Sequence, residues 1–279
     1  VLDLSVLFNV IPERYTKYQL AQLDVLFAMG RGLQRKATDS EPAVDVTALE
    51  MVKWFDSNYH YVRPTFGKNL TFKLNGQKPV DEFLEAKALG IQTRPVLVGP
   101  VSYLYLGKAD KDNLELDPIS LLDQLLPLYT EILTKLAAAG ATEVQLDEPT
   151  LVLDLPANVQ AAIKKAYTYF GQQANLPKIT IASYFGTAVP NLDALKGLPV
   201  SGFHFDFVRA PEQFNDVVAA IGPNQTLSVG IVDGRNIWKN NFAKSSDFVQ
   251  QAIAKLGADR VVVAPSACLL PPPVDLANE

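Results

Sequence analysis

Polar side chains gather at the ends of apolar runs along this chain. Asp147-Glu148-Pro149 follows Val144-Gln145-Leu146, and Tyr184 closes Ile179–Ser183. His204, Asp206 and Arg209 lie along or just after another run. Asp233, Arg235, Asn236 and Trp238 follow Leu227–Val232, and Asn58, Tyr59, His60 and Tyr61 follow Lys53–Ser57. Two carboxylates such as Glu148 and Asp206 are the side chains that acid–base hydrolysis uses. A histidine inside an apolar strand, His204, is either a ligand or a hydrogen-bonded core residue. Asp-Glu-Pro at a strand end also caps a following helix, and Asp233-Gly234-Arg235-Asn236 also reads as a turn with a local salt bridge.

The inventory weighs against metal and nucleophile chemistry in these residues. The chain holds two histidines and one cysteine, Cys268. They stand apart, with no H-E-x-x-H or C-x-x-C spacing, whereas a catalytic zinc takes three protein ligands. His204, Asp206 and Glu148 form the one imaginable set. No G-x-S-x-G nucleophile elbow occurs. A lone cysteine makes no internal disulfide and points to a reducing, cytoplasmic compartment.

The elements that must carry these residues alternate. Residues 119–139 bear Leu122, Leu125, Leu126, Tyr129, Ile132, Leu133 and Leu136 at helical spacing, with Asp117 and Pro118 to start the helix and Gly140 to stop it. Residues 157–170 repeat the pattern with Val159, Ala162, Ile163, Ala166, Tyr167 and Phe170. Shorter helices are expected near 16–29, 80–89, 190–196, 211–221 and 246–256. Strands are expected at 53–58, 95–99, 143–147, 179–184, 202–207, 227–232 and 261–265. Runs such as Val261-Val262-Val263 suit strands covered on both faces. Strand, helix, strand predicts parallel pairing in an α/β chain.

These are about seven βα units where a closed (β/α)8 TIM barrel needs eight. No G-x-G-x-x-G or P-loop signature supports the doubly wound alternative. The expectation is one domain over 1–279, a TIM-barrel-like fold that is incomplete, with its first strand and last helix outside the sequence. Function in such a fold sits at the strand ends, where the polar residues lie.

Composition bounds the partners. Of 279 residues, 48% are hydrophobic and 20% charged, and the net charge is −5. That excludes a disordered chain and argues against nucleic acid, whose phosphates need clustered cations. No apolar run approaches the roughly 18 residues of a membrane span. The chain opens at Val1 with no initiator Met and no leader, as a segment of a longer protein would.

Several segments together resemble the N-terminal domain of cobalamin-independent methionine synthases, in a wording similar to fungal members. They are LEMVKWFDSNYHYVRP (49–64), RPVLVGPVSYLYLGK (94–108), VQLDEPTLVLDL (144–155), GFHFDFVRAPEQF (202–214), LSVGIVDGRNIWKNNF (227–242) and PVDL (273–276). They occur in family order along essentially the whole chain.

The resemblance implies a methyltransferase of two barrels that moves a methyl group from 5-methyltetrahydropteroyltri-L-glutamate to L-homocysteine without cobalamin. It implies zinc held by His, Cys and Glu of a C-terminal barrel that is not in this sequence, and homocysteine bound there. It assigns the N-terminal barrel to the folate tail and to packing against its partner barrel. No catalytic residue or metal ligand is then expected in this chain, which alone is expected to be inactive. One site residue carries over, Asn58, a contact to the folate triglutamate. An amide offers a donor and an acceptor to a tail of carboxylates and peptide groups. Lys53 and Arg63 are nearby cations. The family's Arg-Glu-Leu-Lys tail contacts are not in this chain, and Pro271 stands where the family has His. Other readings are a barrel hydrolase using Glu148 and Asp206, or a binding domain without catalysis.

Overall fold

A computed structural model describes residues 1–38, 42–270, 275 and 277. The Pro271-Pro272-Pro273 run and, apart from Asp275, the 273–276 match lie outside them. Contacts divide the chain into two compact units, Arg94–Gly99 with Ala141–Glu279, and Val1–Thr93 with Pro100–Gly140.

The first of these units is built on a six-stranded sheet. Its strands are β1 (Val96–Val98), β2 (Glu143–Asp147), β3 (Lys178–Ala182), β4 (Gly202–Asp206), β5 (Thr226–Val232) and β6 (Val261–Pro265). They lie side by side in chain order and every neighbouring pair is parallel. Helices Ala157–Gly171, Phe214–Ala220 and Phe242–Leu256 fall between strands, with 3-10 turns at Pro149–Val152, Val189–Ala194 and Pro211–Gln213. This is the α/β arrangement of an incomplete (β/α)8 barrel.

Register decides which side chains share a face. Asp147 pairs with Ala182, Ala182 with His204, His204 with Ser228 and Ser228 with Val262. In-register parallel neighbours point the same way, and successive residues point opposite ways. One face therefore carries Gln145, Asp147, Thr180, His204 and Ser228. The other carries Val144, Leu146, Ile179, Ile181, Phe203, Phe205, Leu227 and Val229, all buried. The Gly-Phe-His-Phe-Asp sequence of β4 displays this alternation, so these strands are not uniformly apolar as the runs suggested.

The second unit is mainly helical. Helix Leu122–Ala139 buries the whole stripe from Leu122 to Leu136. Asp117 accepts the Ile119 N–H at 3.0 Å to start the preceding 3-10 turn. Gly140, at φ +102°, ends the helix in the left-handed region. Phe8, Tyr103 and Tyr129 pack together, with Phe8 4.9 Å from Tyr129 and Ser5 hydrogen-bonded to Tyr103 at 3.0 Å. Helices Leu2–Leu7 and Pro100–Tyr105 and the antiparallel pair Leu33–Arg35/Val44–Val46 escape the sequence pattern, because each is too short to show a period.

The expected strand at 53–58 needs correction. Met51–Lys53 pairs antiparallel with His60–Val62, and 54–59 is the loop between them. The apolar Val52, Trp54 and Phe55 mimic a core strand, but Asp56-Ser57-Asn58 are turn formers and take the chain back on itself. Six parallel strands, not seven, make the sheet among the described residues.

Gly230 tests the packing of this sheet. A Cβ there would lie 2.7 Å from the Phe205 carbonyl oxygen, 2.8 Å from Ser266 Cα and 2.9 Å from His204 Cε1. Two of these are backbone atoms that cannot step aside. Gly230→Ala is expected to lower the unfolding free energy by about 2 kcal/mol, within the usual cost of overpacking, as read by urea denaturation.

Candidate functional site

Asn58 stands exposed in the 54–59 loop. The loop is closed by the Trp54 N–H donating to the Tyr59 carbonyl at 2.7 Å. Within it the Ser57 hydroxyl donates to the Trp54 carbonyl at 2.5 Å and accepts the Tyr59 N–H at 3.2 Å. The Trp54 ring meets Phe55 and Tyr61 edge-on, at 5.1 and 5.5 Å. Below the loop, Tyr61 donates to the Leu106 carbonyl at 3.1 Å.

The two nearby cations differ in freedom. Arg63 donates from Nε to Leu106 O at 3.2 Å and from Nη2 to Gly107 O at 3.3 Å, and its Nη1 is 3.7 Å from Glu50. It fastens the hairpin to the end of helix Pro100–Tyr105. Glu50 also holds Lys108 at 2.5 Å, and this hydrogen bond keeps its carboxyl below the ordinary range. Lys53 is exposed and faces His60 across the hairpin, one residue pair from the loop.

The strand-end residues have partners that the sequence did not show. Glu148 is fully buried and accepts the Tyr167 hydroxyl at 2.9 Å, so it is turned to the helix side of the sheet. Asp206 follows His204 on the other face. Its Oδ1 accepts the N–H groups of Val208 and Arg209 at 3.0 and 2.8 Å, and its Oδ2 accepts that of Phe185 at 3.1 Å. Burial raises this carboxyl above its ordinary range, opposed by those three donors. Both carboxylates are committed to holding turns and helices, which removes support for a hydrolytic pair.

His204 is the core alternative. The Ser266 carbonyl can only accept, so Nε2 carries the proton and donates to it at 3.3 Å. Nδ1 then accepts from the Ser228 hydroxyl at 2.9 Å. Burial drives its pKa down to about 4. Asp147 accepts the Gln145 amide at 2.7 Å and the Tyr184 hydroxyl at 3.0 Å, and burial pushes its carboxyl up to about 6.

Asp233 forms a local turn, accepting the Arg235 N–H at 2.9 Å and the Asn236 amide at 2.8 Å. Arg235 lies 5.7 Å over the Phe185 ring, and Trp238 is exposed. Cys268 is exposed. Among the described residues no group of three His, Cys, Asp or Glu is placed to hold a metal ion, and the two histidines fall in different units. These side chains do not fit a zinc site. No helix among the described residues is long and apolar enough to cross a membrane.

Residues 1–257 match the family described as the N-terminal domain of the cobalamin-independent synthases. The chain belongs to that family. Its relatives include the 5-methyltetrahydropteroyltriglutamate–homocysteine methyltransferases of Saccharomyces cerevisiae, 80% identical over 279 residues, and of Candida albicans, 65% identical over 282. Both alignments take in all of this chain but only 36% and 37% of the relative, so the chain spans about a third of their length.

Solved structures agree on the fold. A B12-independent methionine synthase from Shewanella sp. W3-18-1, in complex with selenomethionine, matches at a TM-score of 0.63 and 14% identity, over 80% of this chain and 68% of that one. A putative one from Listeria monocytogenes matches at 0.56 and 16%, over 73% and 67%.

Asp147 and His204, both shifted by burial, pull stability in opposite directions. Folded Asp147 keeps a proton that the unfolded chain, with an ordinary pKa of 3.8, has released. Its contribution therefore falls as pH rises from about 4 to 6. Folded His204 refuses a proton that the unfolded chain, with an ordinary pKa of 6.5, takes up. Its contribution rises with pH from about 4 to 6.5. Urea unfolding at intervals across this window is expected to show a steeper rise of stability with pH in Asp147→Asn than in the parent, and a flatter one in His204→Gln.

Proposed function

We propose that this chain is most of the first barrel of a two-barrel methyltransferase. The longer protein moves the methyl group of 5-methyltetrahydropteroyltri-L-glutamate to L-homocysteine, giving methionine. The observation that carries this is the 80% identity, sustained over the whole chain, to the yeast methyltransferase of that name. Residues 1–279 form one domain of that protein and contribute binding of the folate tail and packing against the catalytic barrel. Zinc and homocysteine belong to residues outside this chain. A net charge of −5 supports neither nucleic acid nor an anionic membrane as partner, and the lone thiol fits the cytoplasm.

Asn58 is the contact to the triglutamate. Its carboxamide projects from a loop whose backbone is fixed at both ends, and it offers both hydrogen-bonding senses to the tail. Lys53, exposed on the same hairpin, supplies the charge that attracts carboxylates, while Arg63 acts as a brace for the hairpin. The tail lies far from the bond that breaks. A contact to it holds ground state and transition state alike and so acts on KM.

In the full-length protein, Asn58→Ala is expected to raise KM for the triglutamate folate about ten-fold, the worth of one hydrogen bond to a charged group, with kcat within two-fold of the parent. Steady-state kinetics with homocysteine saturating reads this out. An unchanged KM would overturn the assignment of Asn58.

A further inference from the structure

We infer that Ser57 is a positioning residue for the folate tail, setting the direction of the Asn58 amide through the loop it staples. The inference rests on the assignment of Asn58 above and adds a residue to it.

Ser57 is 4% exposed, whereas its neighbour Asn58 is exposed. The serine hydroxyl cannot itself reach a ligand in solvent. It is instead spent inside the loop, donating to the Trp54 carbonyl at 2.5 Å and accepting the Tyr59 N–H at 3.2 Å. With the Trp54 N–H to Tyr59 carbonyl bond, one hydroxyl ties together the two sides of the loop that flank Asn58. The donor and acceptor are backbone groups, so what they fix is the path of the chain on either side of residue 58.

The loop needs that tie. Phe55 sits at φ +47°, in the left-handed region that a bulky side chain adopts only when its surroundings impose it. The surroundings are the Trp54 ring, edge-on to Phe55 and Tyr61, and the Tyr61 hydroxyl anchored on Leu106. Trp54 therefore enters both halves of the clamp, through its ring and through its carbonyl. An exposed amide on such a loop inherits its orientation from the backbone.

Losing the hydroxyl leaves the Trp54 carbonyl and the Tyr59 N–H unbridged and lets the loop sample other conformations. Only the fraction with Asn58 correctly aimed binds the tail, and the apparent affinity falls by that fraction. The chemical step is untouched.

The test uses the full-length protein, with KM for the triglutamate folate and kcat measured for the parent, Ser57→Ala, Asn58→Ala, the double variant and Ser57→Thr. Ser57→Ala is expected to raise KM about five-fold through the lost binding-competent fraction, with kcat within two-fold. The double variant is expected to match Asn58→Ala alone, because a residue acting through another is silent once that other is gone. Ser57→Thr keeps the hydroxyl and is expected to restore the parent KM. If Asn58→Ala raises KM but Ser57→Ala does not, if the two effects multiply in the double variant, if kcat falls instead, or if threonine fails to rescue, the role of Ser57 is overturned while Asn58 stands. If Asn58→Ala itself leaves KM unchanged, both assignments fall.

Discussion

A β-strand sends successive side chains to opposite faces, and the parallel sheet of this chain is organised by that alternation. Phe203, Phe205, Leu227 and Val229 line the helix-facing side, where each buried apolar side chain is worth about 1.5–3 kcal/mol. Gln145, Asp147, His204 and Ser228 occupy the other side, where no helix is required to cover them. On that face the register sets Gln145 opposite Thr180 and His204 opposite Ser228. The His204–Ser228 hydrogen bond joins residues opposed in the β4–β5 register. The close approach of Gly230 to the His204 ring follows from the same packing.

The same constraint sorts the carboxylates. Asp147 and Glu148 are adjacent in sequence and therefore face opposite ways, one to Gln145 and Tyr184, the other to Tyr167. Asp206 spends its oxygens on three backbone N–H groups of the following turn and of the neighbouring loop. A buried carboxylate is tolerated only when paired or hydrogen-bonded, and this requirement consumes the side chains that hydrolysis would need. Glu148 and Asp206, a carboxylate pair in the sequence, hold a helix contact and a turn.

The hairpin carrying Asn58 follows a different logic, one of rigidity at an exposed position. Its neighbours work on its frame: Ser57 bonds inside the loop, Trp54 packs against Phe55 and Tyr61, and Arg63 grips two carbonyls at the end of a helix. Guanidinium is suited to this because its fork satisfies several acceptors at once. Lys108 and Arg63 share Glu50 beneath, so much of the positive charge near the hairpin is already matched. A loop fixed in advance loses less entropy when a flexible ligand settles on it.

The sequence by itself determined the parts that are local or periodic. The Leu122–Leu136 stripe, the Asp117 start and the Gly140 stop define a helix without reference to anything else, and six of the seven expected parallel strands are legible from apolar runs of strand length. The run of motifs from LEMVKWFDSNYHYVRP onward also pointed to the right family, because long words in order are specific where single residues are not.

Tertiary structure decided what depends on residues far apart in the chain. Register, set by pairing between strands tens of residues distant, turned His204 into a core histidine and sent Glu148 to the helices. The run Met51–Ser57 has the composition of a strand, and only its pairing with His60–Val62 shows where it turns. Ser57 carried no signal of its own, since a serine before an asparagine is ordinary until the carbonyl and the N–H that it bridges are in place. Side-chain type fixes what a residue can bond to, but which partner lies within 3 Å is settled by the fold.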